Sequence, residues 1–162
     1  MMKKLSVLLA LGLSLLTMVY SQASDVQVKD ILASSEPPVG VVFEVAGFED
    51  NGFDWAAPVL KSYAKQLRAK FPGIKLAVVS HGLEQFQLTQ ENRQEHAVTH
   101  NKVRSLVKES GIEVHVCGNF ASMMDVGRDE FVDFVKVAGR APLQIEEFKQ
   151  VGYKLVIVKN PN

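Results

Sequence analysis

The sequence predicts a three-layer α/β domain with a mostly parallel sheet and crossover helices on both faces. Short runs rich in β-branched residues alternate with longer segments whose apolar residues recur at helical spacing. Their order is strand, helix, strand, helix, strand, helix, strand, which is typical of parallel strands joined by helices. Glycine or proline separates several of these segments. We therefore expect a flavodoxin-like winding of the chain.

The first residues have the pattern of a secretory signal peptide. Lys3 and Lys4 precede an apolar run from Leu5 to Val19, and Ser21-Gln22-Ala23 places small residues at the positions typical of a cleavage site. The run is shorter than the roughly 20 residues that a membrane-spanning helix needs, and an uncleaved anchor is the alternative. We expect residues 1–23 to be a signal peptide and the protein to be periplasmic or secreted, with no membrane contact after cleavage.

A polar segment precedes the first strand and helix of the domain. Residues 24–38 are interpreted as a lead-in, either a tether or a short edge element. Val39 to Ala46 is a continuous run of mainly apolar residues and predicts a buried strand. Asp54 is placed to cap a helix that continues to about Lys70, before the break at Pro72-Gly73.

The middle of the chain predicts the second and third strands. Ile74 to Val79 is the second strand. Leu83 to Arg93 lacks clean periodicity and is interpreted either as a short helix or as a lid over a pocket. A helix is expected from about Glu95 to Lys108, and the third strand, Ile112 to Val116, then leads to Cys117.

The last part of the chain completes a single domain over residues 39–162. Phe120 to Met124 is an apolar stretch that could line a dry pocket or a subunit contact. A helix is expected from Asp129 to about Val137, with the aspartate as its cap. A further helical piece covers Leu143 to Gln150, and Tyr153 to Val158 is the last strand.

The composition excludes several functional classes. The 18 basic and 18 acidic side chains give a formal net charge of zero, and no concentrated basic face for nucleic acid is evident. The sequence contains no glycine-rich phosphate loop and no serine nucleophile elbow, so nucleotide-dependent and serine-hydrolase chemistry lack support. The single cysteine excludes an internal disulfide. No cofactor is expected.

Two residues at the ends of predicted strands are the candidates for chemistry. The carboxyl ends of parallel strands lie along one edge of a sheet, where ligands bind in such folds, and Cys117 and His81 both stand at strand ends. A cysteine there would face the N-terminus of the next helix, which favours a thiolate, and a histidine could exchange a proton with it. The alternatives are an inert buried cysteine and a histidine bonded to loop backbone.

The other histidines point less clearly to chemistry. His115 shares one face of its strand with Cys117 and is expected to be packed or hydrogen-bonded. His96 and His100 are four residues apart on a predicted helix and could ligate a metal, but no third ligand is evident. A solvated helix face is therefore expected for this pair, and no metal site is predicted.

Several segments resemble the DsrE/DsrF-like family of small α/β sulfur-relay domains. The resemblance is carried by Val-Val-Ser-His-Gly ending at Gly82, Gly-Ile-Glu-Val-His-Val-Cys-Gly-Asn from Gly111 to Asn119, Ala-Gly-Arg-Ala-Pro, and Gly-Tyr-Lys-Leu-Val-Ile-Val. It covers about Val39 to Val158. It implies that Cys117 can carry sulfur as a persulfide and that the chain forms a homotrimer or hexamer. The residues after His-Gly are larger here than is usual in the family.

Sulfur relay is the function that these expectations support together. Cys117 would attack a sulfane sulfur donor and pass the sulfur to a protein thiol, while His81 handles the proton. The amides of Gly118 and Asn119 would stabilise the anion, and Gly82 would border the site. The alternative is a non-catalytic oligomeric module that binds a small ligand or a metal and has a structural cysteine.

Overall fold

The computed structural model describes residues 23–160, so residues 1–22 of the predicted signal peptide lie outside the described part. Within that part, five parallel strands form one sheet in the order β4-β3-β2-β1-β5. The strands are β1 (Gly40–Val45), β2 (Lys75–Ser80), β3 (Glu113–Cys117), β4 (Lys136–Ala138) and β5 (Tyr153–Val158). The predicted three-layer α/β architecture is confirmed.

Helices cover both faces of this sheet. The α-helices of the described residues are α1 (Ala23–Ala33), α2 (Gly52–Lys70), α3 (Ala97–Lys108), α4 (Gly118–Met123) and α5 (Ala141–Gln150). Short 3₁₀ helices occur at Leu83–Leu88, Glu91–Arg93 and Arg128–Glu130. In residues 23–160, no helix has the length and apolar character that crossing a membrane requires.

The sheet separates two apolar clusters of unequal size. The larger cluster contains Val41 and Phe43 of β1 together with buried residues of α1, α2 and α3. The smaller cluster contains Val42, Cys117 and Ile145, the last from α5. Strand β1 contributes to both because successive side chains of a strand point to opposite faces. Cys117 therefore lies on the face of the sheet that α5 covers.

The segment before β1 forms helix α1, so the prediction of a tether or edge element was wrong. The hydroxyl of Tyr63 in α2 donates to Asp25 Oδ1 at 2.5 Å and lies 2.9 Å from Ser24 Oγ. Burial and the bond to Asp25 raise the pKa of Tyr63 to about 12, which keeps this donor protonated. Gln27 Oε1 accepts the amide of Ile157 in β5 at 2.8 Å. Val28, Ile31 and Leu32 also pack in or against the larger cluster at helical spacing, so the helical signal in the sequence is confined to a few residues of a polar segment.

The sequence predicted that Asp54 caps α2, and this was wrong: Asp54 lies inside α2 and joins it to α3. The residue before the helix is Asn51, and no side chain caps it. One carboxylate oxygen of Asp54 accepts the hydroxyl of Thr99 in α3. Pro58 has no N–H to donate to the Asp54 carbonyl, and that carbonyl accepts Lys102 Nζ of α3 at 3.3 Å.

The predicted helix from Asp129 to Val137 was wrong. The chain makes a 3₁₀ turn at Arg128–Glu130, an antiparallel bridge between Thr89 and Phe131, and then β4. Most apolar residues of this segment are buried, as a core-facing helix would bury them, but they belong to a loop and a short strand. A strand of three residues is too short to show a period in the sequence, so the sheet contains one strand more than predicted.

Candidate functional site

The ends of β1, β2 and β3 meet at one edge of the sheet. The register pairs Ser80, the last residue of β2, with both Val45 of β1 and Val116 of β3. His81, which follows β2, and Cys117, the last residue of β3, therefore occupy neighbouring positions. Adjacent strands are separated by roughly 4.8 Å. We call this edge, with the loops that follow the three strands, the carboxyl edge. It brings together the two residues that the sequence singled out.

The sulfur of Cys117 accepts hydrogen bonds from the first turns of two helices. Cys117 Sγ accepts the amide of Phe120 in α4 at 3.4 Å and the amide of Ala141 in α5 at 3.5 Å. The amides at a helix N-terminus carry partial positive charge. The side chain is 4% exposed. The buried sulfur is therefore the acceptor of two amides, one from α4 and one from α5.

The amides predicted to stabilise the sulfur anion, those of Gly118 and Asn119, are not its hydrogen-bond donors. The Asn119 amide donates to the Gly139 carbonyl at 2.9 Å, and its exposed side chain lies 3.8 Å from Met123 Sδ. Gly118 is needed for close packing, because a Cβ there would lie 2.8 Å from the Ala138 carbonyl oxygen. Both residues shape the turn after β3, and the donors come from residues farther along the chain.

Gln85 holds the backbone of Cys117 from both sides. Its Oε1 accepts the Cys117 amide at 2.8 Å and its Nε2 donates to the Cys117 carbonyl at 3.3 Å. A side-chain amide is suited to this position because it can donate and accept at once. Gln85 is fully buried, although the sequence suggested a short helix or a lid in this segment. It is a positioning residue for the thiol.

Glu84 fastens the loops after β1 and β2. Its Oε2 accepts the Gly47 amide at 2.9 Å, and its Oε1 accepts Ser80 Oγ at 2.6 Å and the Gly82 amide at 2.9 Å. The carboxylate is fully buried and forms no salt bridge within residues 23–160, and three donors compensate for its lost hydration. Gly82, predicted as a binding residue, thus belongs to the framework of the carboxyl edge.

Gln87, a third buried residue of the same segment, contacts both histidines of the predicted helical pair, His96 through its side chain and His100 through its carbonyl. Its Oε1 accepts the Phe53 amide at 2.9 Å, and its Nε2 lies 3.3 Å from His96 Nδ1. His100 Nε2 donates to the Gln87 carbonyl at 2.6 Å. His100 is buried and burial lowers its pKa, so the prediction of a solvated face was wrong for this residue. Residues 23–160 contain no group of three or more potential ligands placed for a metal ion.

His115 is packed, as expected. Its side chain is buried on the α5 side of the sheet, where its ring meets that of Phe148 edge-on at 5.5 Å between centroids. Its Nε2 lies 3.2 Å from Glu113 Oε2. Burial lowers the pKa of His115 in spite of that carboxylate. His115 therefore packs beside the smaller cluster through its contact with Phe148.

His81 pairs with Glu44 across the carboxyl edge. Its Nε2 lies 2.8 Å from Glu44 Oε1, and the two side chains are about one-quarter exposed. The bond to Glu44 raises the pKa of His81, and the bond to His81 lowers the pKa of Glu44. No hydrogen bond joins His81 to Cys117 in the described part of the chain. Glu44 is the acid within the apolar run of β1, and it is the sign of this pair that the sequence analysis missed.

Glu44→Gln is expected to lower the pKa of His81, because the neutral amide removes the carboxylate that favours the imidazolium. In the wild type the His81 contribution to stability is complete below pH 6.5 and is lost as the pH rises through its raised pKa. The Glu44 contribution is present above pH 4.5 and is lost as the pH falls through its lowered pKa. An NMR titration of the histidine ring protons measures the change. His115 is the internal control, and an unchanged His81 midpoint in the variant would contradict the pairing.

A cavity of about 270 Å³ opens beside His81 at the carboxyl edge. Its lining residues are Ala46, Gly47, Phe48, His81, Gly82, Leu83 and Phe120. Phe120 connects this cavity with the thiol, because it lines the cavity while its amide donates to Cys117 Sγ. Its ring packs against Phe86 at 5.6 Å. The arrangement can place a small ligand next to His81 and against Phe120, whose amide donates to the Cys117 sulfur.

Comparison with known proteins finds similarity in fold alone. No protein-family model and no curated protein sequence matches the chain. A protein of unknown function from Methanobacterium thermoautotrophicum, MTH1491, superposes with a TM-score of 0.56 at 16% identity, over 73% of this chain and 97% of that chain. A conserved protein of unknown function from Bacteroides thetaiotaomicron, BT1422, gives 0.51 at 12% identity, over 74% and 94%. Both similarities support the three-layer parallel α/β fold.

Proposed function

We propose that this protein is an exported sulfur-relay protein in which Cys117 accepts sulfane sulfur as a persulfide. The observation that carries the proposal is the pair of amides, from Phe120 and Ala141, that donate to the Cys117 sulfur. Amides at helix N-termini favour an anionic sulfur, and the thiolate is the reactive form of cysteine. The resemblance of the strand-end segments to the DsrE/DsrF-like family supports the same chemistry.

The proposed transfer conserves atoms and electrons. The Cys117 thiolate attacks the terminal sulfur of a donor persulfide, a new S–S bond forms, and the donor S–S bond breaks with its electron pair on the departing thiolate. His81 gives that thiolate a proton and regains one from the acceptor thiol, which thereby becomes a thiolate. An acceptor thiolate then attacks the terminal sulfur on Cys117 and releases the cysteine. No net oxidation or reduction occurs in either step.

The proposed partners are protein thiols that donate and accept sulfur, together with further copies of this chain in a homotrimer or hexamer. Exposed apolar side chains in the segments that follow β1 and β3 support a protein partner: Phe48 is 99% exposed, and Met123 and Met124 are 73% and 49% exposed. Methionine side chains adapt to differing surfaces, and exposed apolar patches are typical of interaction sites. The proposed location is periplasmic or secreted.

Mass spectrometry of the intact protein tests the proposal. After incubation with a low-molecular-weight persulfide, the wild type is expected to gain about 32 Da, the mass of one sulfur atom, and to lose it on reduction. Cys117→Ser is the matched control and should gain nothing. A wild type without the adduct, or a Cys117→Ser variant that gains the same mass, would overturn the proposal.

A second candidate function is a non-catalytic oligomeric module that binds a small ligand or a metal and has a structural cysteine. It is favoured by the burial of Cys117 and by the absence of this residue from the lining of the carboxyl-edge cavity. Titration with a thiol reagent separates the two candidates. A thiol that reacts only after denaturation, together with full stability of Cys117→Ala, would support the binding module.

A further inference from the structure

A second cavity lies between α3 and the loop that precedes β4. Its volume is about 450 Å³, and it shares no lining residue with the carboxyl-edge cavity. Its lining residues are Gln90, Arg93, Arg104, Lys108, Val132, Asp133 and Phe134. We call it the basic cavity, because three of these side chains are cations and one is an acid. It is separate from the proposed sulfur chemistry and does not depend on it.

The three cations of the basic cavity lack carboxylate partners. In residues 23–160, no salt bridge and no side-chain hydrogen bond involves Arg93, Arg104 or Lys108. Arg104 makes a cation–π contact with Phe134: its Cζ lies 5.2 Å from the centroid of the ring. Asp133 lines the same cavity but forms no ion pair with them. The cavity therefore contains positive charge that the protein does not neutralise.

Two of these cations lie on one helix face, and two of the three act on a buried histidine. Arg104 and Lys108 are four residues apart on α3, and like charges at this spacing repel each other on one helix face. The C-terminal end of the helix favours Lys108, which is in the last turn, but it does not account for Arg93 in a separate segment. Burial lowers the pKa of His100, and the charges of Arg93 and Arg104 lower it further. The positive potential thus reaches into the protein.

The wall of the basic cavity is held in place by hydrogen bonds to the loop before β4. The Gln90 amide donates to the Glu130 carbonyl at 2.7 Å, and Gln90 Nε2 donates to the Asp129 carbonyl at 2.9 Å. The Val132 amide donates to the Leu88 carbonyl at 3.1 Å. These bonds join the segment after the 83–88 helix to the opposite wall. The backbone of this wall is therefore held in place by the protein itself, which limits the ordering on binding to the cationic side chains.

We propose that the basic cavity binds a small oxyanion with at least two negative charges, of the phosphate or sulfate type. Guanidinium groups match the geometry of such oxyanions with paired donors, and a lysine ammonium adds a compact charge. Arg93, Arg104 and Lys108 supply these groups from two segments. The apolar wall formed by Val132 and Phe134 leaves space for the organic part of a phosphate ester, so the phosphate group could come from the free ion or from an ester.

Isothermal titration calorimetry at constant ionic strength tests this proposal on the purified protein. Inorganic phosphate, sulfate and phenyl phosphate are the probes, and saturable one-site binding is expected. Arg93→Gln and Lys108→Gln should each weaken the binding by about ten-fold or more, since each removes a charge-assisted bond. Lys65→Gln is the matched control, an exposed lysine of α2 outside the cavity, and it should bind as the wild type does. Arg93 is exposed, so its substitution should leave folding intact.

The outcomes are distinct. Tighter binding of phenyl phosphate than of inorganic phosphate would support an ester as the ligand, and equal binding would support the free ion. Equal affinities of wild type and Arg93→Gln would overturn the site, and so would the absence of heat with all three anions. Polyglutamate is a fourth probe: if it alone bound, with dependence on Arg93, the small-oxyanion assignment would be overturned in favour of an acidic protein surface.

Discussion

Glu84→Gln is expected to lower the free energy of unfolding by about 2–4 kcal/mol. The carboxylate accepts three hydrogen bonds, from the Gly47 amide on one oxygen and from Ser80 and the Gly82 amide on the other. A glutamine keeps one oxygen and directs an NH₂ group at a donor, so at least one buried N–H loses its acceptor. Removal of a buried charge relieves some desolvation, but this gain is smaller because all the neighbours of the carboxylate are donors.

Urea denaturation followed by circular dichroism measures this effect through the shift of the midpoint at constant slope. The matched control is Glu91→Gln, the same change at an exposed acid of the next 3₁₀ helix, and it should alter stability by less than about 0.5 kcal/mol. If the Glu84 and Glu91 variants were equally stable, the loops after β1 and β2 would not depend on the carboxylate.

Gly82→Ala is expected to destabilise the protein by about 3 kcal/mol. A Cβ at this position would lie closer than 3.0 Å to the backbone N and O of Gly47 and to Glu84 Oε2. Two of these atoms are backbone and the third is held by other hydrogen bonds, so the loops after β1 and β2 would have to separate. The cost comes from this close approach, since φ of Gly82 is −105°, an ordinary value for any residue.

Gly139→Ala is the control for the Gly82 substitution. A Cβ at Gly139 would meet no heavy atom within 4 Å, so the same chemical change should leave stability within about 0.5 kcal/mol of the wild type. Thermal unfolding of the two variants side by side provides the comparison. Similar melting temperatures for Gly82→Ala and the wild type would show that the two loops can separate at little cost.

The regular part of the fold could be predicted because its signals are local. The strand at Tyr153–Val158 coincides with the predicted one, and the strands ending near Ser80 and Cys117 are shifted by a single residue. Their β-branched runs reflect burial on both faces. Helix α1 was missed because its apolar signal is confined to a few residues of a polar segment, and strand β4 was missed because it has three residues.

The candidate site could be predicted only in part. Cys117 and His81 could be assigned to one edge because parallel strands end together. Their partners could not be assigned from the sequence. Glu44 is 37 residues from His81 and Gln85 is 32 residues from Cys117, so these pairs depend on strand register and on a 3₁₀ segment without clear periodicity. Buried polar side chains such as Glu84 and Gln85 resemble surface residues in a sequence.

The two hydrogen bonds between the Gln85 side chain and the Cys117 backbone depend on the pairing of the strands. The bonds of the 83–88 helix to Cys117 and Gly47 span 32 and 37 residues, so they can form only after β1, β2 and β3 lie side by side. Contacts between distant residues form slowly because loop closure must come first. The backbone of Cys117 is therefore fixed by Gln85 no earlier than the pairing of these strands.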